Sequence, residues 1–285
     1  MLEKRDVGRV TMLQDVQMAF IGGGTMAEAI IKCLLAQQLV KATQLKVGEP
    51  LTSRRLYLQS TYGVQAIESN LEAVQEASFI VMCVKPQVLP TVMQELHGKI
   101  PVDALVLSIV AGASIATLQH GFKHKRIVRT MPNTPAQVGM GATVWTATPE
   151  VTSAQRTLAE TMLEALGTQL WVPNEKYIDM GTGLSGPGPA FVFLFVEALI
   201  DAGVALGFNR PDAQKLVLQT LRGSVELMRQ SAEHPAILRN QVTSPGGATA
   251  AGLYTLEKGG LRAMISDAVH ASYQRTQELG RFAKK

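Results

Sequence analysis

The sequence predicts two domains: an α/β domain with a mostly parallel sheet, followed by an all-α domain. Three observations predict it. Short apolar runs alternate with helical patterns from Gln17 to Val172, which is the signature of crossover-linked parallel strands. A glycine-rich turn, Gly22-Gly23-Gly24, separates the first run from the first helical pattern. After Pro173 no strand pattern remains. The boundary falls near residue 174, which gives a domain over 1–174, with 1–16 as a loose extension, and a helical domain over 175–285.

Composition narrows the function classes. The chain has 285 residues, 46% hydrophobic and 18% charged, enough for a sizeable core. Net charge is +4, the basic residues are scattered and aromatics make 5%, which argues against a nucleic-acid surface. Cys33 and Cys83 lie far apart, as in a protein of a reducing, cytoplasmic compartment. His120 and His124 are four apart, but Gly121 and basic neighbours read as a solvated turn, so no metal is expected. No secretory pattern precedes Met18. The apolar run Pro189–Ile200 contains Glu197 and is followed by Asp201, so a buried helix is expected and no membrane partner.

Gln17–Ile21 is the first strand. Gly22 to Ala27 then reads G-x-G-x-x-A and leads into a helix with Ala29, Ile30, Cys33 and Leu34 on one side. Gly22 serves the tight turn, Gly24 the approach of a pyrophosphate, and Ala27 close helix–strand packing, a dinucleotide-binding arrangement. Gln44–Gly48 is the second strand and ends at Glu49, an acid placed to hold ribose hydroxyls and so to favour NAD. Ser53, Arg54 and Arg55 follow and suit a 2′-phosphate, which favours NADP; the reading leans to NADPH with NADH as the alternative.

Val64–Ile67 is a strand, Asn70–Glu76 a helix and Ser78–Val84 a strand capped by Lys85-Pro86-Gln87. Ala104–Val110 is the fifth strand, and Ala111 and Gly112 lead out of it. Arg126–Thr130 is the sixth, ended by Met131-Pro132-Asn133-Thr134-Pro135, a stiff polar loop suited to a pocket. Ala142–Thr146 and Thr168–Val172 complete the sheet around a helix over about 152–166, with antiparallel strands allowed at this late edge. Helical patterns then run through 175–208, 212–230, 247–257 and 260–282, with breaks at 186–189, 209–211 and His234-Pro235. Phe191 to Val196 is apolar on every side, so a second subunit is expected to cover it.

Val242 to Leu253 holds the second ligand signal. Pro245 and Gly246-Gly247 shape a loop, and a helix start at Ala248 and Thr249 offers free N–H groups and one hydroxyl to an anion.

The chain resembles the pyrroline-5-carboxylate reductase family from about residue 17 to its end. The resemblance rests on Ile21 to Ala27, Val84 to Gln87, Arg129 to Ala136, Thr182 to Ala190 and residues 242–253. It implies a Rossmann domain binding NADPH or NADH, an all-helical dimerisation domain, and reduction of 1-pyrroline-5-carboxylate to L-proline. It assigns cofactor contacts to Ile21, Gly22, Gly23, Gly24, Thr25, Met26, Ser53, Arg54, Asn70, Val84, Lys85, Pro86, Gln87, Val110, Ala111 and Gly112, and nicotinamide-side positions to Met131 and Glu175. Ser244, Gly247, Ala248 and Thr249 match the substrate-carboxylate loop, and Thr249 matches the residue that hydrogen-bonds the ring nitrogen. The implied assembly is a homodimer, with a higher assembly of dimers left open. Pro187 and Phe191 depart from the family's serine and tyrosine. Two other readings remain: a β-hydroxyacid or imine reductase, whose lysine motif is missing around Lys176 and Lys215, and an NADP-sensing regulator.

Overall fold

The computed structural model describes residue 13 and residues 15–282. An eight-stranded sheet has the order β3-β2-β1-β4-β5-β6-β7-β8. Its strands are β1 (Met18–Ile21), β2 (Leu45–Gly48), β3 (Gln65–Ile67), β4 (Phe79–Met82), β5 (Leu105–Ser108), β6 (Ile127–Met131), β7 (Gly141–Ala147) and β8 (Gly167–Trp171). The connecting helices are α1 (Thr25–Ala36), α2 (Thr52–Tyr62), α3 (Asn70–Val74), α4 (Leu89–Leu96), α5 (Ile115–Phe122) and α6 (Ser153–Glu164).

Strands β1 and β4 are apolar at every position because both sheet faces are covered. Phe20, Val81, Leu107 and Val128 enter one core, and Ala19, Ile21, Ile80, Met82 and Val106 enter the other. Strands β1 to β6 run parallel, β7 runs antiparallel to β6, and β8 runs parallel to β7. The reversal has a local cause. The β6–β7 link carries only a 3-10 turn, Thr134–Val138, whereas α6 makes a full crossover between β7 and β8.

Of the expected loose extension over 1–16 only residues 13, 15 and 16 are described, and Leu13 and Val16 are buried. Leu13 is fully buried, and Gln44 Nε2 donates to Leu13 O and Val16 O at 3.0 Å each. Residues 1–12 and 14 lie outside the described residues.

The remaining helices are α7 (Glu175–Ser185), α8 (Gly188–Ala205), α9 (Arg210–Ser231), α10 (Pro235–Gln241), α11 (Ala248–Lys258) and α12 (Leu261–Phe282). The chain divides into two compact units, residues 1–187 with 272–285, and residues 188–271. In the first, α7 packs on β7 and β6. A Cβ on Gly183 would lie 2.8 Å from Tyr273 Cα, so only a glycine admits that backbone so closely.

In the second unit α8 packs on α9, and Asn209 caps α9 by accepting from Asp212 N at 2.9 Å. The sequence treated His234-Pro235 as a break only. Pro235 instead opens the short helix α10, where its missing N–H costs nothing, and His234 caps it. The expected burial of α8 is not met within one chain. Phe193 and Leu194 are each 66% exposed, and Ile200 is its one buried residue. A helix of 18 residues that is apolar nearly all round cannot be covered on every side by a single neighbouring helix.

Candidate functional site

Strand order reverses direction between β1 and β4, and in such sheets the C-terminal side of this switch point is where ligands bind. Gly22 leaves β1 with φ +92°, and its N–H donates to Gly48 O at 2.8 Å. A Cβ there would meet the Cys83 carbonyl at 3.1 Å, so the turn needs glycine for both reasons. Gly24 is the N-cap of α1 with no side-chain cap, and nothing lies within 4 Å of where its Cβ would stand. The first helical bond is Glu28 N to Gly24 O, 3.0 Å, which leaves the N–H groups of Thr25, Met26 and Ala27 ahead of the ladder. Ala27 is fully buried against the core.

Beside this turn, β2 delivers Glu49 and α2. Glu49 is 7% exposed, and both its oxygens face backbone: Oε2 accepts from Gly23 N at 2.9 Å and Oε1 from Leu51 N at 3.0 Å. It therefore braces the glycine turn. Arg54 donates from Nε to Gly23 O at 2.6 Å. Arg55 donates to Glu49 O, Pro50 O, Thr52 and Glu68 and so holds the turn before α2. Ser53 is exposed in the first turn of α2.

The same sheet edge gathers the other cofactor positions. Val84, Lys85, Pro86 and Gln87 fill the loop between β4 and α4, with Lys85, Pro86 and Gln87 exposed. Val110, Ala111 and Gly112 follow β5; Val110 N donates to Ser108 Oγ at 3.2 Å, and Gly112 has φ +76°. Asn70 opens α3 after β3, and its amide donates to Glu95 at 2.8 Å. Met131 ends β6.

Helix capping divides the helix starts into two groups, with α3, α5 and α7 capped although Asn70, Val110 to Gly112 and Glu175 are assigned to the cofactor. Side chains of Ser69, Ser114, Thr152, Asn174, Asn209 and His234 cap α3, α5, α6, α7, α9 and α10. The starts of α1, α2, α4 and α11 have no side-chain cap. Those four follow stretches that the sequence assigns to ligand. A helix start left open in this way presents N–H groups and a partial positive charge to an anion.

Glu175 begins α7, and its Oε1 accepts from Ile115 N at 2.7 Å and from Arg129 Nη1 at 2.8 Å. Arg129 also reaches Asp179 Oδ1 at 2.8 Å. The Asn133 amide is engaged at both ends, accepting from Ala142 N at 2.8 Å and donating to Ser185 O at 3.0 Å. That loop residue pins β7 and α7, a tie the pocket reading did not foresee.

In the second compact unit, Gly246 turns with φ +69° and Gly247 is the N-cap of α11. Gly247 N donates to Ser244 O at 3.1 Å, and a Cβ on Gly247 would stand 2.3 Å from Ser244 Oγ. The first α11 bond is Ala251 N to Gly247 O, 3.2 Å, so the N–H groups of Ala248, Thr249 and Ala250 precede the ladder. Thr249 is exposed beside them. Ser244, Gly247, Ala248 and Thr249 thus form one cluster.

His124 corrects the solvated-turn reading. It is 6% exposed, with Nε2 2.8 Å from Ala104 O, and burial holds it below the ordinary histidine range. The carbonyl only accepts, so Nε2 carries the proton. Burial also pushes the Cys83 and Cys33 thiols up, which disfavours the thiolate at both. Among the described residues no group of three or more His, Cys, Asp or Glu is arranged for a metal.

Comparison with known proteins adds a family to this geometry. Residues 175–279 match the family described as pyrroline-5-carboxylate reductase dimerisation. Residues 17–112 match the NADP oxidoreductase, coenzyme F420-dependent, family. The chain is 46% identical to the pyrroline-5-carboxylate reductase of Synechocystis sp. over 93% of its own length and 99% of that relative's. It is 39% identical to the Pseudomonas aeruginosa pyrroline-5-carboxylate reductase, covering 92% and 96% of the two chains. Its structure is similar to that of Plasmodium falciparum pyrroline carboxylate reductase with NADP bound, at TM-score 0.85 and 31% identity over 94% and 99% of the chains. Identity of 46% over nearly the full length, joined to a matching dimerisation region, means that the chain belongs to the pyrroline-5-carboxylate reductase family, oxidoreductases with an NAD(P)-binding domain.

Proposed function

We propose that this protein reduces 1-pyrroline-5-carboxylate to L-proline, the last step of proline biosynthesis, with NADPH as the preferred cofactor and NADH as the alternative. The carrying observation is that two open, uncapped helix starts, at Gly24 and Gly247, coexist in a chain of this family. The clear space at Gly24 and the free N–H groups after it fit a pyrophosphate. Ile21 to Met26, Ser53, Arg54, Asn70, Val84 to Gln87, Val110 to Gly112, Met131 and Glu175 are the proposed cofactor residues. A bound nicotinamide supplies the hydride.

The residues of the second cluster orient and protonate. The N–H groups of Ala248 and Thr249 hold the substrate carboxylate, with Ser244 and Gly247 shaping the loop around it. The Thr249 hydroxyl donates to the ring nitrogen, which makes the imine carbon a better hydride acceptor. That bond serves the neutral imine; when the substrate arrives as an iminium, its N–H donates to the Thr249 oxygen instead, and no buried acid or base is required of this chain.

Residues 1–174 are the proposed nucleotide-binding domain and 175–285 the dimerisation and substrate domain. The matched dimerisation region begins at residue 175, although α7 clusters with the sheet. The proposed assembly is a homodimer, open to further association of dimers, located in the cytoplasm and without a membrane or nucleic-acid partner. Glu175–Ala205 is long and apolar enough to cross a membrane by length and composition alone. The bend at Gly186-Pro187 divides it, and the stretch lies within residues 175–279, which match a family described as dimerisation; this supports a protein partner for this surface.

Oxidation of NADPH in the presence of 1-pyrroline-5-carboxylate, repeated with NADH, tests the reading. Proline should accumulate in step with cofactor loss. Cofactor binding with no turnover on this imine, together with fast reduction of another imine or a ketone, would sink it.

A further inference from the structure

Arg54 is the third residue of α2, and its guanidinium is held on one edge and one face. Nε donates 2.6 Å to Gly23 O, and Nη2 donates 2.5 Å to Glu28 Oε2. Nε and Nη2 form one side of the planar fork, so that side is engaged by the glycine turn and α1. The Tyr57 ring lies under the guanidinium at 5.0 Å. The end of the fork, which carries Nη1 and the second Nη2 proton, has no protein partner among the described residues. About a quarter of the side chain, 24%, is exposed.

Glu28 is itself fixed. Its Oε1 accepts from Tyr57 OH at 2.9 Å and Tyr62 OH at 2.7 Å. Burial alone would raise the Glu28 pKa, but bonds from Arg54, Tyr62 and Tyr57 outweigh it and hold the carboxyl below its usual range. Burial, and then Glu28, push the Tyr62 phenol up, so it remains a donor. The two tyrosine rings meet edge to face, 6.4 Å apart at 81°. A carboxylate so close to an anion site would repel the anion if it were bare. Here one guanidinium and two phenols occupy it.

The neighbours favour a phosphate over a bare ribose. The N–H groups of Thr52 and Ser53 precede the first α2 bond, Arg54 N to Leu51 O at 3.0 Å. Glu49, at the strand end where a ribose-reading acid belongs, faces the backbone with both oxygens. We propose that Glu28, Tyr57 and Tyr62 are positioning residues that aim the open end of the Arg54 fork at the 2′-phosphate of the cofactor, and that this geometry sets the preference for the 2′-phosphorylated form. It rests on the cofactor reading given above. The fork matters more than its charge, because a planar pair of N–H donors matches two phosphate oxygens and an ammonium does not.

The test measures kcat/KM for NADPH and for NADH, and inhibition by 2′,5′-ADP against 5′-AMP, which differ only by the phosphate. The variants are Glu28→Gln, Tyr62→Phe and Arg54→Lys. Arg54→Lys keeps the charge and removes the fork, and should lower the NADPH-to-NADH ratio on the order of tenfold. Glu28→Gln should lower it severalfold, Tyr62→Phe less, and 2′,5′-ADP should lose its advantage over 5′-AMP in the same order. Thermal unfolding confirms that each variant is folded, and Tyr62→Phe is the mild case if Glu28→Gln is not. Full preference in Arg54→Lys, an unchanged or higher preference in Glu28→Gln, or equal losses for both cofactors would each overturn the proposal. So would a wild-type protein that reduces the imine equally well with NADH, which leaves the activity itself standing. If no imine is reduced, the activity fails while the two inhibitors still decide the role of Arg54.

Discussion

Arg129 Nη1 lies 2.8 Å from Glu175 Oε1, and that same oxygen accepts the Ile115 N–H at 2.7 Å. One carboxylate therefore ties the middle of β6 to the starts of α5 and α7. Arg129 is 7% exposed, whereas Glu175 and Asp179 are 31% and 32% exposed. Glu175→Gln with Asp179→Asn would leave the arginine charged, nearly buried and without a counter-charge. Breaking a buried pair costs about 3–5 kcal/mol, and solvent screening of two part-exposed acids reduces this to about 2 kcal/mol. Urea unfolding at neutral pH measures the loss. An unchanged midpoint would show that the clamp contributes nothing to stability.

Thr249→Val keeps the shape of the side chain and deletes its hydroxyl. The expected result is a fall in kcat on the order of 10²-fold with cofactor affinity preserved. Thr249 is exposed and makes no fold contact through that oxygen among the described hydrogen bonds, so folding should survive. Steady-state kinetics with varied cofactor and varied substrate separate the two constants. An undiminished kcat would mean that the substrate or solvent supplies the proton.

Phe193 and Leu194 are each 66% exposed on α8 in the single chain. Phe193→Asp should therefore leave the fold of one chain intact and dissociate the assembly. Light scattering at low micromolar concentration should report a dimer or larger for the wild type and a smaller species for the variant. A wild-type protein that is monomeric and fully active at that concentration would remove the need for a partner over α8.

His124 gives a pH dependence. Its ring is buried as the neutral form and its pKa is depressed by that burial, a Ala104 hydrogen bond opposing and Arg126 adding to the shift. The unfolded chain takes up a proton near pH 6.5, about the ordinary histidine value, before the folded one does. Stability is thus fully present above about pH 6.5 and falls as the pH drops towards the depressed folded value, by at most about 1.4 kcal/mol per pH unit. Thermal unfolding from pH 7.5 to pH 5, at about those limits, should show a shallower fall for His124→Gln than for the wild type. Equal slopes in the two proteins would exclude this histidine as the cause.

Periodicity and glycine placement alone determined the sheet, its helices and the helical second half. Alternating buried runs such as Met18–Ile21 and Phe79–Met82 announce themselves, because a strand covered on both faces is apolar at each position. Gly22 and Gly246-Gly247 mark turns for the same kind of reason: φ of +92° and +69° suit few other residues. Direction and partners were decided only by the tertiary structure. The sequence could not say that Glu49 turns inward to Gly23 N and Leu51 N, since a carboxylate after β2 is equally able to face solvent. Nor could it say that Asn133 pins Ser185, 52 positions away, or that Glu28 gathers Arg54, Tyr57 and Tyr62. His124 read as solvated because its neighbours in sequence are polar, yet packing brings it against Ala104 and removes it from water. Local pattern records which backbone can form; the hydrogen bond a polar side chain finally makes depends on what the fold carries to it.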